Sequence, residues 1–375
     1  MPLTDPYRPD VAVMLREPVH HLHRITAYRP GEDPSEDGTV LDLITATVTI
    51  DEDTTPRFRF NGSVGITDQE LLDLLDPRAG TRLLIETGYR YADGRTELRP
   101  LARLGIRQRV VRRPQNDVTI TAESDEKIVQ DYVASAMSFP ATTLASEALR
   151  QMLSLGHTQV VAVLASRDAY VSDGSDPLVV EPGTSWSTIQ ALADRINAEV
   201  YHDGLTGFYV TDQGMSVQGA SASMNTGVDG SITASEVATD LEEFANYVAV
   251  VHTWEDSDGV SHTALGVAEQ VTGPLGTAAI GRRGRAVTVD GVPATTSVAT
   301  TEAWSILTRT ISRGRRIHVE DAVARYWLRP GHTVTIQLPL GSPERAVISR
   351  VTFNLPVGSM SVHTRQPETV SAPII

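Results

Sequence analysis

Side chains able to do chemistry are plentiful in this chain, but their spacing seldom suits a reaction. His20, His21 and His23 fall close together and could offer imidazoles to a metal. A closed metal site needs further ligands from elsewhere in the fold, so the cluster reads as ordinary surface histidines. Asp51-Glu52-Asp53 and Asp256-Ser257-Asp258-Gly259 could present oxygens to calcium, yet neither belongs to a twelve-residue loop closed by Glu. Tight turns explain both runs more simply, because Asp and Gly satisfy turn geometry. Asn61-Gly62-Ser63-Val64-Gly65 lacks the first glycine of a nucleophile elbow, and no suitable helix follows it. The metalloprotease H-E-x-x-H, the Walker A loop and the dinucleotide G-x-G-x-x-G are all absent. With no cysteine, thiolate catalysis, Fe–S clusters, disulfides and Cys-ligated zinc are excluded. Carboxylates abound, but nothing in their spacing sets two across a cleft as a glycosidase requires. The expectation is no catalytic residue, no metal ligand and no cofactor.

Two arginine groups stand against an acidic background: Arg282, Arg283 and Arg285, then Arg313, Arg315 and Arg316. They read either as solvated loop and helix-end charges or as basic patches, the latter suited to an anion or a subunit interface. The chain holds 32 Lys+Arg against 47 Asp+Glu, a net charge of −15, and Lys127 is its single lysine. A protein that coats duplex DNA neutralises phosphates with a basic surface, so that class is excluded. Trp186, Trp254, Trp304 and Trp327 read as core anchors, since a large aromatic is usually mostly buried.

The elements that must position these groups follow from periodicity. Val40–Leu43 leads into Ala46–Ile50, and Arg57-Phe58-Arg59-Phe60-Asn61 alternates as a half-buried strand does. Asp68–Leu75 makes one helical turn or two, stopped by Pro77. Leu83–Tyr91 turns at Ala92-Asp93-Gly94 and returns through Leu101–Ile106, and Val118–Ala122 closes the segment. From Ser124 the period becomes helical, with Ile128, Val129, Tyr132 and Val133 in phase. A second helix spans Thr143 to about Leu155 and ends at Gly156, and Val160–Leu164 reads as a buried strand. Gly183–Ile196 opens a helix, Asn197–His202 passes through Asp203-Gly204 into Gly207–Val210, and Gly214–Asp229 reads as a loop. Tyr247–Val251 enters a hairpin at Asp256–Gly259, a helix runs from about Thr301 through Ser312, and the end is again β: Thr333–Leu338, Arg345–Val351 and Ser361–Thr364. The fold class is therefore α+β, mainly β, with two small β-barrel-like domains flanking a central α+β region. Boundaries fall at 1–123, 124–230, 231–317 and 318–375. No apolar stretch approaches the ~20 residues that span a bilayer. Met1–Pro6 carries no basic and apolar leader, so synthesis in the cytoplasm without a signal peptide is expected.

These residues carry a resemblance. Val48-Thr49-Ile50-Asp51, Arg57–Phe60, Leu75-Asp76-Pro77, Ile85–Tyr89 and the strand holding Gly105 resemble the opening domain of actinobacteriophage minor tail proteins. The Trp186 helix, the Asp203-Gly204 turn and the Phe208 strand are similar to the small α+β module of phage tail-hub proteins. Leu328-Arg329-Pro330-Gly331-His332-Thr333-Val334 resembles their last β-domain. The resemblance implies a homotrimeric ring at the distal tail tip of a siphophage virion. Such a ring joins the tail tube and tape-measure protein to fibre or receptor-binding proteins and lets DNA pass without specific binding. It implies no enzyme, no cofactor and no membrane insertion, with the arginine groups placed at subunit interfaces. Two other classes compete: a tail-associated cell-wall hydrolase using unrecognised carboxylates, and a carbohydrate-binding receptor module, which the aromatic fraction of 5% disfavours.

Overall fold

Burial alternates along Phe58–Gly65 as its sequence does: Phe58, Phe60, Gly62 and Val64 face inward, while Arg59 and Asn61 face solvent. The computed structural model describes residues 7, 19–66, 68–114, 116–131, 137–154, 160–172, 176–212, 221–227, 230–239, 244–256, 258–311, 315–339 and 342–366. The first β-rich region holds β1 (His20–Tyr28), β2 (Thr39–Val40), β3 (Leu43–Asp51), β4 (Phe58–Gly65), β5 (Arg82–Arg90), β6 (Thr96–Arg112) and β7 (Asp117–Glu123). Helix α1 (Gln69–Leu74) lies between β4 and β5, and the Asp68 carboxylate caps it by accepting from the Leu71 amide. The central region begins with α2 (Glu126–Asp131), β8 (Met137–Phe139), α3 (Ala145–Leu153), β9 (Val160–Val163) and β10 (Leu178–Val180). It continues with α4 (Ser185–Arg195), β11 (Ala198–His202), β12 (Gly207–Asp212), β13 (Ala222–Asn225) and β14 (Ile232–Thr239). Then come β15 (Tyr247–Glu255), β16 (Ser261–Glu269), α5 (Thr277–Ile280), β17 (Gly284–Asp290) and α6 (Thr296–Ile311). The chain closes with β18 (Arg315–Asp321), β19 (Thr333–Gln337), β20 (Glu344–Leu355) and β21 (Ser359–Arg365).

Both β-rich ends expected from the sequence are present, and they share one 13-stranded sheet. Its order is β14-β18-β21-β20-β3-β4-β7-β6-β5-β1-β2, with β19 attached to β20 and β13 to β19. Strand β20 makes the joint. Its first residues pair with β19, and Arg350–Leu355 pair with Asp51–Ala46 of β3. The inward side chains of both ends form one contiguous core, from Ile25, Val48 and Phe60 to Val319, Tyr326, Phe353 and Val362. Two smaller layers complete the molecule. In one, the mixed sheet β11-β12-β9 packs under α3 and α4 around Leu149, Ile189 and Phe208. In the other, β16-β15-β17 packs under α6 around Val248, Val250 and Leu307.

Several elements differ from the sequence reading. β9 is a half-exposed edge strand and not a buried one, with Val160 61% exposed; its apolar run covers only one face of a small layer. Helix α6 begins at Thr296, earlier than expected, because buried Ala299 extends its packed face by a turn; Thr300 and Thr301 turn their hydroxyls onto the Thr296 and Ser297 carbonyls. β14 and β17 have no counterpart in the sequence reading: β14 is exposed along most of its length, and β17 has only Val287 and Val289 turned towards α6, too short an alternation to mark a strand. The expected positions Met1–Pro6, Tyr132, Val133, Gly156, Ser312 and Gly341 lie outside the described residues; of the expected loop Gly214–Asp229, residues 221–227 are described and hold β13, which pairs with β19 and corrects that reading.

Candidate functional site

What the fold builds with most of its buried charge is a set of joints. At the first, β3 and the strand pair β20–β21 exchange ions. The Arg350 Nε donates to Asp51 at 2.7 Å, and the Arg365 Nε donates to Glu52 at 2.6 Å. Thr49 and Thr352 share a hydroxyl hydrogen bond between them at 3.1 Å. Burial pushes the Glu52 carboxyl up to about 7, although the Arg365 guanidinium pulls it down. Beneath lies an aromatic cluster in which the Tyr89 ring is tilted against Tyr7, Tyr326 and Tyr91, and His21 stands edge-on to Tyr89 and Tyr326. The Tyr89 hydroxyl donates to the Ala324 carbonyl at 2.8 Å and accepts from the Tyr326 amide at 3.0 Å, stapling the two ends of the sheet together.

A second joint fixes the α4 layer on the sheet. The Asp203-Gly204 turn presses on Phe58: a Cβ added at Gly204, whose φ is +80°, would lie 2.7 Å from that ring. The Arg103 amide donates to the Gly204 carbonyl at 2.5 Å. Arg82 donates to both oxygens of buried Asp125, at 3.0 and 2.9 Å. The Gly204 amide donates to His202 Nδ1 at 3.0 Å, so the imidazole proton sits on Nε2, 3.6 Å from Asp125. Burial lowers the His202 pKa, against the opposing pull of Glu126 and Asp125. Between this layer, α6 and the β3–β4 loop is a cavity of about 400 Å³, lined among others by Glu52, Glu126, Asp194, Glu199, Arg57 and Arg309.

The third joint is the tightest. His252 of β15 is fully buried, with Nδ1 2.9 Å from the Val292 carbonyl oxygen and Nε2 2.6 Å from Glu302 of α6. A carbonyl can only accept, so Nδ1 carries a proton and the Nε2–Glu302 contact shares one more. Burial raises the Glu302 pKa ahead of the opposing pull of His252. Arg195 of α4 donates to the next carbonyl, Pro293, at 2.8 Å, so two helices and a strand clamp the Val292–Ala294 connection. Both ring nitrogens of His252 and the Nδ1 of His202 are engaged by structural partners.

The residues singled out from sequence are scattered over the fold, some in the core and some exposed, and form no single site. Neighbouring side chains of β1 point to opposite faces, so His20 is exposed while His21 lies in the aromatic cluster with its pKa lowered to about 4 by burial. No group of three or more His, Asp or Glu among the described residues could hold a metal ion. Asp51 and Glu52 are joint residues as well as turn residues, a role invisible locally because their arginines lie some 300 positions away. Asp256 accepts from the Asp258 and Val260 amides, as a turn residue does. Ser63 lies mid-strand and donates to Asp117. Trp327 is buried in the main core, Trp186 and Trp304 pack against the two smaller cores, and Trp254 stacks on His262. Arg282, Arg283 and Arg285 are exposed at the start of β17; Arg282 pairs with Glu269 at 3.0 Å and lies over the Tyr247 ring. Arg315 and Arg316 open β18, where Arg315 pairs with Glu344 at 2.6 Å. Arg313 lies outside the described residues.

This architecture, a long joined sheet with two helix-backed layers, is a fold of bacteriophage tail proteins. A tail protein of Neisseria meningitidis superimposes with a TM-score of 0.64 at 13% identity, over 92% of this chain and 96% of that one. The 43 kDa tail protein of prophage MuSo2 from Shewanella oneidensis gives 0.61 at 12% identity, over 93% and 100%. The prophage tail protein gp18 of Listeria monocytogenes gives 0.54 at 11% identity, over 92% and 95%. No family model and no curated protein sequence matches the chain.

Proposed function

We propose that this chain is a structural, hub-like component of a bacteriophage tail. The observation that carries the reading is likeness over nearly the whole chain to the Neisseria and Shewanella tail proteins, with nearly all of each of those chains covered. Buried ionic groups that hold layers together suit a part that bears load between neighbours. In the finer form of the proposal, three copies make a ring at the distal tip of a siphophage virion. The tail tube and tape-measure protein sit above it, and fibre or receptor-binding proteins below. The net charge of −15 suits a conduit that DNA passes without binding. Cryo-electron microscopy of the assembled tail tests this. The expected result is a three-chain ring around an open channel at the distal end; a monomer, or a position away from the tip, refutes it.

A further inference from the structure

The outward face of the large sheet carries a second cavity. On β3, Ala46, Val48 and Ile50 enter the core, so Thr47, Thr49 and Asp51 point the other way. Strand register aligns that face. Arg350 of β20 lies between His363 of β21 and Asp51, while Thr352 lies opposite Thr49, which in turn lies opposite Arg59 of β4. These side chains, with Arg57 and Asn61, line an open cavity of about 410 Å³. It shares only Thr54 and Arg57 with the cavity under α4 and α6.

Positive charge is in excess here. The guanidiniums of Arg57, Arg59 and Arg350 face a single carboxylate, Asp51, which leaves a local charge of +2 in a chain of net charge −15. That carboxylate is already spent: one oxygen is held by Nε and Nη2 of Arg350 at 2.7 Å, and the other accepts from the Asp53 amide. Nη1 of Arg350 remains unspent. Arg59 stands 3.6 Å from Glu123, beyond hydrogen-bond length, and its side chain is 47% exposed. Arg57 lies over the Tyr201 ring at 4.4 Å and pairs with no carboxylate among the described residues.

Neutral donors stand between the arginines. The Thr49 and Thr352 hydroxyls share one hydrogen bond at 3.1 Å, which uses one of their two protons and leaves the other. The Asn61 amide and the His363 imidazole stand beside them. His363 stacks on His318 with centroids 4.2 Å apart, and burial lowers its pKa to about 4, so in neutral solution it is an uncharged N–H donor.

We propose that this cavity binds a phosphate group. Donors come from β3, β4, β20 and β21 and so surround the cavity instead of lining one side of it. A tetrahedral oxyanion, whose oxygens diverge, satisfies such a set, whereas a planar carboxylate meets donors along one edge. A charge near −2 also cancels the local excess. A free phosphate and the phosphodiester of a polymer present the same kind of oxygen, and the choice of probe separates them. The site is a property of the isolated chain and stands or falls separately from the proposed ring.

Isothermal titration calorimetry of the full chain with inorganic phosphate, in neutral buffer at low ionic strength, tests this; dimethyl phosphate and acetate are titrated in parallel. The expected result is one saturable phosphate site with a Kd on the order of 0.1–1 mM. Binding of inorganic phosphate alone assigns a free phosphate or monoester, and equal binding of dimethyl phosphate assigns a phosphodiester chain. Arg59→Ala should weaken binding about tenfold with circular dichroism and melting temperature unchanged, and Thr352→Val about threefold. Arg283→Ala, which removes an exposed arginine far along the chain from this face, should leave binding unchanged. Absence of saturable heat up to about 20 mM phosphate overturns the inference. So does acetate bound as tightly as phosphate, or a loss in Arg283→Ala as large as that in Arg59→Ala.

Discussion

Tyr89→Phe isolates the staple between the two ends of the sheet. Tyr89 is fully buried, and its ring makes the same packing contacts as Phe would, with Tyr7, His21 and Tyr326 centroids 5.6, 5.6 and 5.3 Å away. The change therefore removes one oxygen and little else. That oxygen satisfies two main-chain groups, the Ala324 carbonyl and the Tyr326 amide, more than 230 positions along the chain. Leaving a buried group unsatisfied costs about 1–3 kcal/mol, so the two together predict a loss of roughly 2–5 kcal/mol. Denaturant unfolding followed by tryptophan fluorescence measures it, helped by Trp327, which lies 6.4 Å from Tyr7 in the same cluster. Amide exchange at Tyr326 should speed up in parallel. Tyr91→Phe is the control: its hydroxyl reaches Glu97 within one hairpin at 2.9 Å, and its loss should cost about 1 kcal/mol or less. A Tyr89→Phe protein within about 0.5 kcal/mol of the parent, with Tyr326 still protected, would refute the staple.

Other perturbations follow from the same joints. Gly266→Ala would drive a methyl group into the Ala299 and Thr300 backbone of α6, costing about 1–3 kcal/mol or more, read as a lowered melting temperature. Arg350→Ala leaves the Asp51 carboxylate buried without its guanidinium and should cost about 2 kcal/mol, whereas Asp51→Asn combined with Arg350→Ala should cost less than the two changes summed. Glu52 has a folded pKa raised to about 7, above its unfolded 4.5, so protonation favours the folded state. Its contribution is complete below about pH 4.5 and is lost as pH rises to about 7; stability curves of Glu52→Gln should be flatter across that window by ~1–2 kcal/mol, and parallel curves would show the carboxyl to be solvated.

Local pattern revealed the fold class because its signals are short-ranged. The alternation of Phe58–Val64, the Asp93-Gly94 turn with Gly94 at φ +82° and the Asp203-Gly204 turn each depend on neighbours within a few residues. Strands β14 and β17 have little local signal because exposed edge positions impose no long apolar period. The joints escaped for a different reason. Asp51 and Arg350, Glu52 and Arg365, Tyr89 and Ala324, or His252 and Glu302 are unremarkable residues in their own segments, and the meaning of each pair arises only when strand pairing or helix docking closes the distance.

By itself, the sequence determined the thiol chemistry this chain lacks and the balance of its elements: no cysteine, a net acidic charge, β-rich ends and an α+β middle. Composition and short-range periodicity suffice for that, since residue type and next-turn neighbours set backbone preference. Tertiary structure alone decided that the β-rich ends are one sheet, that an acidic turn is ion-paired to β20 and β21, and that β15–β17 pack a helix against one face. Long-range pairing selects among many compatible partners by burying area and matching charge across the whole chain, and no window of a few residues contains that choice.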